Sequence, residues 1–174
     1  TQEVGNVTVS GHWGVDIYSQ DGTSVNLTTG NVESYGVYAG AEDNGSVSTL
    51  TVNGDITNDK YGIYTDAYYG ATVNVDVSGN VTGDYGIYSD DVDDGSTTNI
   101  NIGGNLTSNY YQGIYFDDVD DNSTVNITVG GDVVSEDYGG IYTDVDTDSE
   151  LNVNIGGDLI AYGEGIHLHV YDNS

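Results

Sequence analysis

Val75-Asp76-Val77-Ser78-Gly79-Asn80-Val81-Thr82-Gly83-Asp84-Tyr85-Gly86 is the stretch whose reading decides the fold, because versions of it return along the whole chain. Its Gly-Asn/Asp-apolar step recurs at Gly5-Asn6-Val7, Gly30-Asn31-Val32, Gly54-Asp55-Ile56, Gly79-Asn80-Val81, Gly104-Asn105-Leu106, Gly131-Asp132-Val133 and Gly157-Asp158-Leu159, about 25 residues apart each time. A self-similar period of about 20–50 residues marks a solenoid, propeller or array, in which each unit buries its apolar face by stacking on the next. A second signal falls between the steps, as Gly62-Ile63-Tyr64, Gly86-Ile87-Tyr88, Gly113-Ile114-Tyr115 and Gly140-Ile141-Tyr142, with looser versions at Gly36-Val37-Tyr38 and Gly165-Ile166-His167.

Apolar and polar residues alternate strictly in Val73-Asn74-Val75-Asp76-Val77, Ile100-Asn101-Ile102, Val125-Asn126-Ile127-Thr128-Val129 and Leu151-Asn152-Val153-Asn154-Ile155, the pattern of a half-buried strand. A glycine corner follows, then a short Asn-Val-Thr or Asp-Ile-Thr strand, a polar corner and Tyr-Gly-Ile-Tyr; no helical period competes. Three short strands per period predict an all-β, single-stranded parallel β-helix (β-solenoid), right-handed by the rule for parallel crossovers, with residues 1–174 as one repeat domain. Roughly seven coils at about 4.8 Å each give a stack on the order of 30 Å tall. The expected inward columns are Val37, Ile63, Ile87, Ile114, Ile141 and Ile166; Val32, Ile56, Val81, Leu106, Val133 and Leu159; and Leu50, Val75, Ile100, Ile127 and Val153. No capping segment is evident, and Asp172-Asn173-Ser174 placed before Thr1 regenerates the internal run Asp121-Asn122-Ser123-Thr124. The ends are therefore expected to continue one another, in a longer array or a head-to-tail fibre.

Composition narrows the function classes. With 29 acidic residues, one lysine (Lys60) and no arginine, the formal net charge is −28, which excludes nucleic acid and anionic membrane as partners. So acidic a chain invites a disordered reading, but the alternation and the 16 tyrosines oppose it. Cysteine is absent, so disulfides and thiol chemistry are excluded, and no apolar run is long enough for a signal peptide or membrane insertion. The lack of methionine points to a processed or excised chain.

The acidic loops after Gly-Ile-Tyr are the candidate metal site: Asp90, Asp91, Asp93 and Asp94; Asp117, Asp118, Asp120 and Asp121; Asp144, Asp146 and Asp148. Stacked about 5 Å apart, such carboxylates repel by about 1 kcal/mol in bulk water and more near a low-dielectric surface. Ca²⁺, which takes oxygen ligands in flexible geometry, suits them, although the helices and terminal Glu of an EF-hand are missing. A solvated acidic face with diffuse counter-ions explains the same residues. Outward Tyr38, Tyr64, Tyr88, Tyr115 and Tyr142 form a candidate interface ladder, which serves either sheet stability or contact with protein or glycan. Asn74, Asn99, Asn126 and Asn152 form a structural amide ladder. Glycosylation sequons begin at Asn6, Asn26, Asn44, Asn80, Asn105, Asn122 and Asn126, triplets that alternation also creates by chance. His167 and His169 share a strand face near Asp172, a spacing that could hold zinc but lacks an evident third protein ligand. Catalysis is not expected, because the aspartate pairs recur instead of forming one constellation. Thr57, Thr82 and Thr107 make too short a column for an ice-binding array.

The pattern of Val125 to Val133, VNITVGGDV, followed by Tyr138 to Asp144, YGGIYTD, resembles the repeats of autotransporter passengers and other large bacterial or archaeal surface adhesins with β-helical stalks. The resemblance spans essentially the whole chain and implies secretion, a cell-surface location and a role in adhesion or architecture. The expected function is thus a non-enzymatic extracellular structural protein, a homopolymer self-associating end to end or laterally into a filament, sheath or surface layer, with calcium at its acidic loops. The alternative is an adhesin segment that binds glycan or host protein through the tyrosine face.

Overall fold

The computed structural model describes residues 2–146 and 148–171 and is an all-β, parallel β-solenoid of about seven turns. The junction of Asp172-Asn173-Ser174 with Thr1 lies outside the described residues. Three faces wind round one core. The first is a seven-stranded sheet of Gln2–Glu3, Ser24–Thr29, Val47–Val52, Thr72–Val77, Thr97–Ile102, Thr124–Val129 and Glu150–Ile155. Its six-residue strands pair in parallel with no slip, because alternation leaves one register that buries every apolar residue. The second face carries the short strands Val81–Gly83, Leu106–Ser108, Val133–Ser135 and Leu159–Ala161, and the third carries Tyr85–Val92, Ile114–Val119, Ile141–Asp146 and Ile166–Tyr171. In two earlier coils these faces are one continuous strand, Val32–Glu42 and Ile56–Tyr68, where the sequence predicts two.

The inward columns are as expected through the body of the stack. Val37, Ile63, Ile87 and Ile114 are wholly enclosed, Ile141 nearly so, and Ile166 in the last described coil is 64% exposed. Phe116 fits the interior because its partners in the neighbouring coils, Ser89 and Thr143, are small.

The recurring Gly-Asn/Asp step has a specific cause. At each first corner, Oδ1 of the Asn or Asp accepts the backbone N–H of its counterpart one coil on: Asn6 to Asn31 (2.9 Å), Asn31 to Asp55 (3.0 Å), Asp55 to Asn80 (2.7 Å), Asn80 to Asn105 (2.9 Å), Asn105 to Asp132 (2.9 Å) and Asp132 to Asp158 (2.8 Å). A Cβ on the preceding glycine of the upper coil would fall on that oxygen, as at Gly54 over Asn31 and Gly131 over Asn105. Glycine is therefore needed for close approach here, and the ladder satisfies corner amides that face-one pairing cannot reach.

The corner that leads back to the first face is a tight turn. Asp94 and Gly95 have φ of 53° and 77°, Asp121 and Asn122 have 49° and 66°, and each turn closes through a 3.1 Å bond from the amide of Ser96 or Ser123 to the carbonyl of Asp93 or Asp120. Two successive positive φ values favour Gly, Asn and Asp, which accounts for much of the acidic loop as turn chemistry.

Candidate functional surface

The third face gathers most of the residues singled out by the sequence. Tyr38, Tyr64, Tyr88, Tyr115 and Tyr142 occupy one in-register column that ends on His167. Successive ring centroids lie 5.3, 5.1, 5.2, 5.2 and 4.9 Å apart, and from Tyr88 onward the rings are stacked within 13° of parallel. Beside it runs a second column that the sequence reading missed. Trp13 stacks on Tyr61 (5.6 Å), Tyr61 on Tyr85 (5.6 Å) and Tyr85 on Tyr111 (4.3 Å). Two of its members, Tyr61 and Tyr85, are the first tyrosine of Tyr-Gly-Ile-Tyr, but Trp13 and Tyr111 stand outside that motif. The columns interlock, with Tyr61 and Tyr85 5.2 and 5.0 Å from Tyr88.

The tyrosine hydroxyls donate to the acidic residues. Tyr64 and Tyr88 both bond Asp90, Tyr115 bonds Asp117 (2.7 Å), Tyr68 bonds Asp91 (3.4 Å) and Tyr18 bonds Glu42. Burial and the neighbouring carboxylates push the phenols of Tyr38, Tyr64, Tyr88 and Tyr115 well above their ordinary range, and the bond to Glu42 pushes Tyr18 up to about 12. These phenols stay neutral donors at any physiological pH.

The aspartates stack less regularly than the sequence reading expected. Asp91 lies opposite Asp118 and Phe116 opposite Thr143, but a register shift beyond that pair brings Val145 opposite Val119, so that Asp144 alone answers both Asp117 and Asp118. Asp94, Asp121 and Asp148 are exposed, and Asp148 donates its amide to Asp146 at 3.2 Å. Asp93 and Asp120 each enclose Oδ1 without a hydrogen-bond donor, and burial followed by the adjacent Asp94 raises Asp93 to about 6. Burial likewise raises Asp91, Asp118 and Asp120. A further carboxylate, unforeseen from the sequence, is Asp66. It is only 7% exposed, sits opposite Gly40, and is raised to about 6 by burial and then by Asp90. Among the described residues no three His, Asp or Glu side chains form a group that could hold a metal ion.

The remaining candidates separate. The amide ladder forms as expected, with Nδ2 of Asn99, Asn126 and Asn152 donating to Oδ1 of Asn74, Asn99 and Asn126 at 2.9, 2.9 and 3.0 Å. The sequon residue Asn126 therefore has its Nδ2 engaged, and Asn6, Asn80 and Asn105 use Oδ1 in the corner ladder. Asn26, Asn44 and Asn122 are exposed. His167 Nδ1 lies 3.0 Å from Glu164 and His169 Nδ1 3.9 Å from Asp144, so the imidazoles turn to different carboxylates. The threonine column Thr57–Thr82–Thr107 gives way to Val134. No protein-family model, curated protein or solved structure matches the chain.

Proposed function

We propose that this chain is a non-enzymatic structural protein of the cell exterior whose coils stack copy on copy into a filament, sheath or surface layer, with cations such as Ca²⁺ neutralising its acidic loops. The observation that carries the reading is the regular stacking itself: successive coils of the first face pair in parallel in a single register, with like residues over like. Coils that repeat one geometry about a common core contact only their neighbours, so a coil of another copy can continue the stack in the same register. Stacking copies of charge −28 demands counter-ions, which links assembly to cations. Support for a structural role also comes from the polar groups, which repeat along the rod instead of converging.

A glycan platform on the tyrosines is less well supported. From Tyr88 to His167 the ring faces are covered by one another, and the hydroxyls of Tyr64, Tyr88 and Tyr115 are bound to carboxylates. Light scattering and negative-stain electron microscopy of the purified chain, in millimolar calcium and then in EDTA, test the proposal. Filaments or sheets that disperse on chelation are expected. Monomers under both conditions would refute self-assembly.

A further inference from the structure

Along one row of the third face the side chain changes from coil to coil. Tyr85, Gln112, Gly139 and Glu164 hold equivalent positions, each two residues before Ile87, Ile114, Ile141 and Ile166, which pair in sequence along the third face. The carbonyls of Gln112, Gly139 and Glu164 accept the amides of Gly86 (3.4 Å), Gly113 (3.2 Å) and Gly140 (2.9 Å), which confirms the equivalence. Gly139 thus withholds a side chain where Tyr85 supplies a ring and Gln112 an amide. A Cβ there would meet Glu164 O at 3.2 Å and Gln112 Cγ at 3.9 Å, and no other atom is so near. What remains is a cleft of about 330 Å³ whose walls include the aromatic Tyr138, Tyr142 and His167 and the polar Gln112, Asp137 and Glu164. Three successive coils contribute, so the cleft lies on the flank of the stack.

The same rod already holds one cation against its tyrosines. Lys60 Nζ lies 4.8 Å from the ring centroid of Tyr111, 5.5 Å from Tyr85 and 5.8 Å from Tyr61. A cation over a ring is attracted by the ring quadrupole, and the attraction grows when the cation is weakly hydrated. The cleft offers aromatic walls and two carboxylates, Asp137 and Glu164, without the convergent oxygens a metal ion needs. Its volume falls in the range of small-ligand sites, about 300–1,000 Å³. A surface of net charge −28 further concentrates cations around it. We propose that this cleft is a binding site for an organic cation of the alkylammonium class, held against the ring of Tyr138, which is 57% exposed, and neutralised by Asp137 and Glu164.

The test is an NMR titration of the ¹⁵N-labelled chain with choline and, separately, with its neutral isostere 3,3-dimethyl-1-butanol. Choline is expected to shift the amides of Gly139, Gly163 and Glu164 saturably and to bind at least about tenfold more tightly than the alcohol. Gly139→Gln, which restores the side chain found one coil earlier, should abolish the shifts, while Tyr162→Ala, 86% exposed and outside the cleft, should leave them unchanged. Tyr138→Ala is the second variant, expected to weaken binding without filling the cleft. Equal binding of the neutral isostere would overturn the proposal. So would shifts that spread unsaturably over the acidic face and survive Gly139→Gln and Tyr138→Ala, or the absence of any shift.

Discussion

Replacing Asp66 by Asn is expected to flatten much of the protein's pH–stability profile. Asp66 is 7% exposed, accepts the amide of Asp90 at 3.3 Å and faces the negative charges of Asp90 and Asp91. Its carboxyl is raised from 3.8 to about 6. A carboxyl that holds its proton more tightly folded than unfolded stabilises the fold when protonated. That contribution is fully present below pH about 3.8 and is lost as pH rises through about 6. A difference of about two pK units corresponds to roughly 3 kcal/mol, or roughly 6–12 °C in melting temperature for a chain of this length. The wild-type chain should therefore gain stability on acidification from pH 7.5 to 5, the reverse of a protein held by salt-bridged carboxylates. Asp66→Asn keeps an oxygen for the Asp90 amide and carries no charge, so it should be more stable than wild type at pH 7.5 and nearly equal at pH 4. A smaller slope will persist from Asp93, also raised to about 6. Thermal and urea melts of both proteins between pH 4 and 8 measure this. A wild-type midpoint that is flat or rises with pH, or a variant with an unchanged slope, would refute the argument.

Three further predictions concern the ladders and loops. Asn99→Ala removes a bond to Asn74 and one from Asn126, and urea melts should record a loss of about 1–3 kcal/mol. Gly104→Ala drives a Cβ against Asn80 Oδ1 and the backbone of Gly79, breaking the corner ladder. It should cost about 2–3 kcal/mol, whereas Gly95→Ala, with φ 77° but open space around it, should cost only about 1 kcal/mol. Replacing Asp93, Asp94, Asp120 and Asp121 by Asn should raise the melting temperature in EDTA and abolish any rise on adding calcium. A calcium response that survives would remove these loops from the cation site.

The third face shows how far sequence reasoning reached. The Tyr38–Tyr142 column was legible because translation by one period carries each member onto the next. The column from Trp13 to Tyr111 was not, because Trp13 lies opposite Gly36 while Tyr61 lies opposite both Gly36 and Tyr85, so ring contact there crosses coils through a glycine gap. Asp66 was overlooked for a related reason. Its Thr-Asp pair looks like the exposed start of an acidic loop, but Gly40 opposite it leaves room into which the Tyr38 ring folds, and the carboxylate is enclosed.

By itself the sequence determined the period, the parallel stacking, the inward columns and the amide ladder, since these follow from alternation and repetition, which are properties of the chain read along its length. The tertiary structure alone decided which aspartates meet, which phenols they bind, why the corner glycines are needed and where a missing side chain opens a cleft. Those depend on register shifts and on the direction each side chain takes across a corner. The coils differ by a residue or two in length, and a single added residue moves an entire loop relative to the one above it.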